Sequence, residues 1–235
     1  MKILIGCPTC SKYKYCINEW LSRVKEIIKN SKNHKIDYLL VDNSKENDFF
    51  NQLKKQGVNI IKAPHFENIK KTLSESRNIL REKTIKENYD YFFSLEQDVI
   101  PPLDILEKLL SHKKEIISPY FSKPILVGLK DKETGEIKNA VLEFAIIWLQ
   151  EKNGIKRALP QQVQNKGLIK VGGVGLGCIL IKKQVLEKIK FRYIENKKAF
   201  DDLLFCLDAK NQGYKLFVDT DLKVKHLHIP WNKKT

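Results

Sequence analysis

The stretch of residues 91–102 constrains the fold more than any other part of the chain. It begins with a short apolar run typical of a buried strand, which stops at Glu96 and Asp98 before a Pro-Pro pair. In an open α/β sheet the carboxyl ends of the strands face the ligand crevice, so these carboxylates are placed to hold a hard cation that bridges phosphate. The alternative is a solvated strand-to-helix turn in which Asp98 stabilises the next helix N-terminus.

The first hundred residues alternate between strand and helix patterns. Residues 2–6 predict a buried strand that ends at Pro8, and apolar residues at helical spacing between 17 and 28 predict a helix packed on the sheet. Residues 36–41 and 58–62 predict further strands, which makes the first crossover a right-handed βαβ unit. A capping box at Thr72 and Glu75 predicts that the next helix begins there and runs to about residue 87.

The rest of the chain continues the α/β pattern. A helix is predicted from Pro101-Pro102, then β-prone stretches at 116–124 and 140–150 separated by a turn at 131–135. The polar segment 150–170 has few periodic cues and is interpreted as a mobile loop. A strand at 178–181 precedes a helix that opens near Phe200 and ends at Gly213.

Several polar residues stand where these elements meet the predicted crevice. Asp42 ends the second strand, where it can reach a base or ribose or form an Asx turn. Arg77 lies early in a helix and can meet a diphosphate or stay exposed. Asp201 and Asp202 open a late helix, where capping is the structural alternative to catalysis. Trp148 can floor a sugar subsite or belong to the core.

The C-terminal region adds two histidines on one strand face. His226 and His228 alternate with outward-facing residues, so both can point to the same ligand. Two histidines after an acidic strand end favour a metal site over a lone core histidine, with His226 as the first choice.

Ordered segments of the chain resemble glycosyltransferases with the GT-A fold, particularly the family-2 type. Glu96-Gln97-Asp98 is similar to the family's Asp-x-Asp segment, with Glu in place of the first Asp. The other similar segments are the Pro8-Thr9 loop, Val-Asp42-Asn-Ser, Ser-Arg77-Asn, Gly172-Gly173-x-Gly, and Asp201-Asp202 with Asp201 where Glu is usual.

The resemblance implies an α/β fold with one GT-A domain over residues 1–235: a Rossmann-like, mixed central sheet flanked by helices. Residues 1–100 would be the nucleotide-binding half and 101–235 the acceptor-binding half. It implies a nucleotide-diphosphate sugar donor, transfer of a hexosyl group to an acceptor hydroxyl with inversion, and Mn²⁺ or Mg²⁺ as cofactor.

The resemblance also assigns roles to residues. The catalytic candidates are Asp202, as base, and Asp201; acceptor candidates are Gly172, Gly173 and Trp148; metal candidates are Asp98, Glu96, His226 and His228. Donor-binding candidates are Pro8, Thr9, Asp42, Arg77, Glu96, Gln97 and Asp98.

Composition leaves two other functions open. The formal charge is +15, but only five of the 43 basic residues are Arg and the Lys residues are dispersed, so nucleic-acid binding is not favoured over a solvated surface. A sugar-phosphate nucleotidyltransferase would share the metal chemistry but wants a Gly- and Arg/Lys-rich loop after the first strand, which residues 7–14 poorly match. The glycan, lipid or protein acceptor is left open.

Cysteine usage and hydropathy indicate a cytoplasmic protein. Five cysteines without a secretory signal favour reduced thiols, although Cys7 and Cys10 have the spacing of a redox motif or half a zinc site. No apolar run approaches the roughly 20 residues that span a bilayer. The basic surface is compatible with peripheral contact to a membrane.

Overall fold

The computed structural model describes residues 1–130 and 134–227 as an α/β fold. The helices are α1 Ile17–Asn30, α2 Asp48–Lys55, α3 Ile69–Lys86, α4 Ile105–Ser111, α5 Pro160–Val163, α6 Lys183–Lys188 and α7 Asp201–Asn211. The strands are β1 Lys2–Thr9, β2 Lys35–Asp42, β3 Ile60–Lys62, β4 Tyr91–Leu95, β5 Val99–Ile100, β6 Ile116–Tyr120, β7 Ser122–Lys130, β8 Ile137–Ala145, β9 Ile147–Glu151, β10 Gly154–Arg157, β11 Leu168–Val171, β12 Gly173–Val174, β13 Cys178–Lys182, β14 Leu216–Lys223 and β15 Lys225–His226.

The core of the fold is one mixed sheet of eight strands in the order β11-β14-β6-β13-β4-β1-β2-β3. Strands β3, β2, β1 and β4 are parallel, and β13 is inserted antiparallel between β4 and β6. The carboxyl ends of β1, β2 and β4 therefore meet at one edge of the sheet, which is where ligand sites form in such folds. The predicted mixed sheet flanked by helices is confirmed.

Helix α1 shows how apolar spacing positions this edge. Trp20, Val24 and Ile27 are fully buried on one face of the helix against the sheet. The Trp20 indole Nε1 also donates a hydrogen bond to the Leu95 carbonyl at 3.2 Å. The buried stripe therefore ties α1 to the residue that precedes the acidic turn, as its 3.6-residue period predicts.

The predicted bounds of two strands are wrong. Strand β1 does not end at Pro8, because its pairing with β2 continues to Thr9 while its pairing with β4 stops at Gly6. The Pro8 edge that faces β4 is therefore free of ladder bonds, which is where a strand tolerates proline. Strand β3 begins at Ile60, two residues later than predicted.

Helices α3 and α4 also begin away from their predicted N-termini. The Asn68 side chain accepts hydrogen bonds from the Lys70 and Lys71 amides, so α3 begins at Ile69 and Thr72 lies inside it instead of capping it. Thr72 Oγ1 instead accepts a hydrogen bond from the Phe66 amide at 3.1 Å and donates one to the Phe66 carbonyl at 3.0 Å. Helix α4 begins at Ile105, three residues after the Pro-Pro pair, and Leu103 is exposed.

The second half adds small sheets around the edge of the main one. Strands β9, β10 and β12 form a three-stranded sheet, and β7 and β8 form a separate two-stranded ribbon. The segment 150–170 is consequently not a loop, because it contains β10, α5 and the start of β11. The predicted turn at 131–135 falls partly outside the described residues.

Short strands bring the C-terminal region to the acidic turn. Strand β15 pairs antiparallel with β5, which places His226 opposite Val99. All five cysteines lie within the described residues, and none forms a disulfide. No helix within residues 1–130 and 134–227 is long and apolar enough to cross a membrane.

Candidate active site

A cavity of about 440 Å³ opens at the carboxyl edge of the sheet. Its walls come from the ends of β1 and β4, the start of the β7–β8 ribbon, the β9–β10 hairpin, the glycine run and the N-terminus of α7. Sequence-predicted residues in its lining are Pro8, Arg77, Glu96, Gln97, Asp98, Trp148, Asp201, Asp202 and His226. The tertiary structure therefore brings together residues separated by more than two hundred positions.

Asp98 and His226 form a close pair in this cavity. The Asp98 Oδ2 and His226 Nε2 atoms lie 3.2 Å apart, and His226 Nδ1 lies 3.2 Å from the Ser122 carbonyl oxygen. Burial lowers the pKa of His226, but the hydrogen bond to Asp98 and its charge outweigh burial and leave the pKa raised. The ring also stands edge-on to Phe121 with centroids 6.0 Å apart, so its orientation is held by packing.

This pair fits a hard divalent cation as two ligands of a larger set. Adjacent ligands around an octahedral ion at about 2.1 Å lie about 3.0 Å apart, close to the observed separation of Oδ2 and Nε2. The Ser122 carbonyl can accept a hydrogen bond from a protonated Nδ1, which leaves the Nε2 lone pair for a metal. Among the described residues no group of three or more acidic, His or Cys side chains is arranged for a metal, so other ligands would come from phosphate and water.

Glu96 does not join that pair, because Arg77 engages it. The buried Arg77 guanidinium contacts Glu96 Oε1 through Nη2 and Asp201 Oδ2 through Nη1, the latter at 2.6 Å. Burial opposes the charge of Arg77, but Asp201 and Glu96 outweigh it and raise its pKa. Enclosure by protein raises the pKa of Glu96, and the Arg77 charge counteracts that rise. Arg77 thus links the end of β4 to the start of α7.

The two acids that open α7 have different environments. Both line the cavity, but Asp201 is only 2% exposed and is held by Arg77, whereas Asp202 is partly exposed and accepts a hydrogen bond from the Leu203 amide at 2.7 Å. Burial and then the neighbouring Asp201 charge raise the pKa of Asp202. The helix cap position is Phe200, so neither acid supplies the N-cap side chain.

Two predicted donor-binding residues lie outside the cavity lining. Asp42 is completely buried at the end of β2, and its carboxylate accepts bonds from the Ser44 hydroxyl at 2.6 Å and Lys62 Nζ at 2.7 Å. These contacts match the alternative in which Asp42 forms an Asx turn with the residues that follow it. Thr9 is 1% exposed, and its Oγ1 has no hydrogen-bond partner among the described residues.

The predicted acceptor residues divide between packing and the cavity wall. A Cβ on Gly172 would lie 2.6 Å from Ile155, and its amide donates to the Trp148 carbonyl at 2.7 Å, so this glycine allows β9 to approach. Gly173 also packs on Trp148, while the later glycines Gly175 and Gly177 line the cavity. His228, the second metal candidate, lies outside the described residues.

Sequence reasoning missed several cavity residues. Arg157 lies beside Trp148, and Tyr13, Lys123 and Lys198 complete the polar walls. Burial, followed by the charges of Asp98 and Glu96, raises the pKa of the Tyr13 hydroxyl. The signal for Arg157 was its residue type, because it is one of only five arginines in the chain.

Solved structures with the same fold include S. aureus TarS. The TarS fragment 1–349 in complex with UDP matches with a TM-score of 0.58 and 14% identity over 97% of this chain. The complex with UDP-GlcNAc matches with a TM-score of 0.57 and 14% identity over 95% of this chain. The chain spans about 60% of that fragment, 61% and 57% in the two complexes.

A second enzyme shares this topology. 4-Diphosphocytidyl-2C-methyl-D-erythritol synthase matches with a TM-score of 0.52 and 12% identity, over 97% of this chain and 92% of its own. No protein-family model and no curated protein matches the sequence. With its mixed eight-stranded sheet and these structural neighbours, the chain has the GT-A fold.

Proposed function

We propose that this protein is a metal-dependent glycosyltransferase that moves a sugar from a nucleotide-diphosphate sugar to an acceptor hydroxyl. One observation carries the proposal: a single cavity holds the Asp98–His226 pair and the Asp202 carboxylate on its walls. The first suits a diphosphate with its cation, and the second suits proton removal from an acceptor.

The donor would lie along the ends of β1 and β4. Pro8 and Gln97 line the cavity there, next to Asp98, and Lys123 adds a positive charge. Asp42 supports this region indirectly by holding the loop that begins at Ser44, whose hydroxyl accepts a bond from the Ser11 amide at 2.8 Å. UDP-sugars are the first donors to test, because the TarS fragment was solved with UDP and UDP-GlcNAc.

Asp98 and His226 would hold Mn²⁺ or Mg²⁺, with the imidazole favouring Mn²⁺. When bound, the cation supplies positive charge that neutralises the departing diphosphate. The metal site thus serves the leaving group, and the protein's own side chains must supply the proton acceptor on the other reactant.

Asp202 is the proposed general base. Its carboxylate takes the proton from the acceptor hydroxyl while the acceptor oxygen bonds to the anomeric carbon and the bond from that carbon to the diphosphate breaks. Burial raises the pKa of Asp202, which makes it a stronger proton acceptor than a solvated Asp. Displacement in one step by an acceptor on the opposite face of the sugar gives inversion.

Calorimetric titration of UDP with and without Mn²⁺ tests the cation site. We expect Mn²⁺ to strengthen UDP binding in the parent protein and to have little effect in Asp98→Asn. Asp104→Asn is the matched control, because Asp104 immediately precedes α4, pairs with Lys108 and is about half exposed. Unchanged Mn²⁺-dependent binding in Asp98→Asn would rule out the assigned site.

Product analysis separates this proposal from nucleotidyl transfer. A glycosyltransferase incubated with a UDP-sugar and Mn²⁺ releases UDP, whereas a nucleotidyltransferase consumes a nucleoside triphosphate and releases pyrophosphate. Pyrophosphate release from UTP and a sugar phosphate, with no UDP from any UDP-sugar, would contradict glycosyl transfer.

A further inference from the structure

Arg157 is held in a fixed position at the cavity wall. Its Cζ lies 5.0 Å from the Trp148 ring centroid and 5.9 Å from that of Phe144. Arg157 and Trp148 are also directly paired across the β9–β10 hairpin, and Nε donates to the Ala145 carbonyl at 3.3 Å. The two aromatic rings and this hydrogen bond restrict the guanidinium before any ligand arrives.

The terminal nitrogens of this guanidinium have no ion-pair partner within the described part of the chain. The other cavity arginine, Arg77, differs because it is engaged by both Glu96 and Asp201. Arg157 is only partly exposed to solvent, and this burial lowers its pKa. A desolvated guanidinium fork without a carboxylate partner is suited to an anion that arrives with a ligand.

The position of Arg157 indicates which substrate carries that anion. Arg157 lines the same cavity as Asp202, the proposed base, and the Asp202 charge acts on its guanidinium. As base, Asp202 must face the acceptor hydroxyl. The metal pair belongs to another wall, where the Ser122 carbonyl contacts His226 and is followed by Lys123. The two cationic regions are therefore assigned to different substrates, with the donor diphosphate beside His226.

We propose that Arg157, held over the Trp148 ring, binds a carboxylate or phosphate group of the acceptor, so that the acceptor is an anionic sugar or glycan. This inference rests on the proposed function, because it takes Asp202 as the marker of the acceptor side. The inference also changes the role of Trp148, which orients the guanidinium instead of packing against the ring of a neutral sugar.

Calorimetric binding of three simple probes tests the inference. Glucuronate carries a carboxylate, glucose 6-phosphate carries a phosphate, and glucose carries neither; each is titrated into protein with and without UDP and Mn²⁺. We expect at least one anionic probe to bind roughly tenfold or more tightly than glucose. The better of the two anionic probes identifies the group that the fork accepts.

Two variants and one control assign the binding to Arg157. Arg157→Gln removes the charge and is expected to abolish the preference for the anionic probe, while Arg157→Lys keeps the charge but loses the fork and is expected to retain part of it. Arg23→Gln is the control, because Arg23 lies on α1 and pairs with Glu26 far from the cavity. Melting temperatures of the variants establish that they are folded.

The outcomes separate the two proposals. Equal affinity for all three probes, or an anion preference that survives in Arg157→Gln, overturns the anionic-acceptor inference. Loss of UDP affinity in Arg157→Gln, together with exclusion of the probes by UDP, also overturns it, because Arg157 would then bind the donor. Arg157-dependent probe binding in a protein that binds no nucleotide would preserve the anion site and reject glycosyl transfer.

Discussion

Replacing the two acids of α7 one at a time distinguishes a catalytic carboxylate from a structural one. Asp202→Asn removes the proposed base, but Asn can still accept the bond that the Leu203 amide donates at 2.7 Å. We therefore expect a stability change of about 1 kcal/mol or less, from the altered charge near a helix N-terminus. Turnover should fall by roughly 10²–10⁴-fold, the loss typical of a missing general base.

Asp201→Asn should have the opposite profile. Its carboxylate is 2% exposed and pairs at 2.6 Å with Arg77, which is itself 3% exposed. Removing one member of a buried ion pair costs about 3–5 kcal/mol. At roughly 2–4 °C per kcal/mol for a chain of this length, the melting temperature should fall by about 6–20 °C.

The assay combines thermal unfolding with turnover for the parent and both variants. Turnover is measured as UDP released from a UDP-sugar at saturating donor and Mn²⁺, below the melting temperature of the weaker variant. The reasoning is refuted if Asp202→Asn retains full turnover, or if Asp201→Asn unfolds at the parent temperature. Full turnover in the first case would remove the base and reopen a retaining reaction.

Three further outcomes test the electrostatics of the site. Because the pKa of His226 is raised, a proton on its ring competes with the metal, and Mn²⁺ affinity should fall as the pH falls through that raised pKa. Titrations of Mn²⁺ at several pH values should show that this pH dependence is weaker in His226→Ala. The acid limb of the pH profile of kcat/KM should lie above the ordinary range of Asp pKa values, because the pKa of Asp202 is raised. In Arg157→Gln this limb should move to higher pH, because the Arg157 charge lowers the pKa of Asp202 and is then gone. A limb that does not move would mean that another group titrates. Asp42→Ala should lower the free energy of unfolding by about 3–5 kcal/mol, because Ser44 and Lys62 both lose a buried partner. Asp42→Asn keeps an acceptor for Ser44 and should unfold at a higher temperature than Asp42→Ala. Equal melting temperatures of the two variants would contradict the structural role of Asp42.

Local sequence determined most of the secondary structure and the edge of the sheet where the site lies. Apolar runs in β1 and β4 and the helical spacing in α1 depend only on which faces must be buried, so their pattern is readable without the fold. The acidic turn could be placed at the ligand edge because it follows the carboxyl end of β4, a strand that the apolar run predicts. The errors occurred where a neighbour decided the outcome, as when Asn68 replaced Thr72 as a cap or β2 extended β1 through Pro8.

Only the tertiary structure decided how the polar residues of the site are partnered. The sequence placed Arg77, Glu96 and Asp201 in one site but could not show that Arg77 pairs with both acids. Ion pairing depends on distances in space, and Arg77 and Asp201 are 124 positions apart in the chain. Its residue type made Arg157 a candidate, but the sequence could not place it in the cavity, since that side chain acquires its place from a cross-strand pair with Trp148. Residue types and spacing therefore determine which groups are present near a crevice, whereas packing decides which charges remain free to meet a ligand.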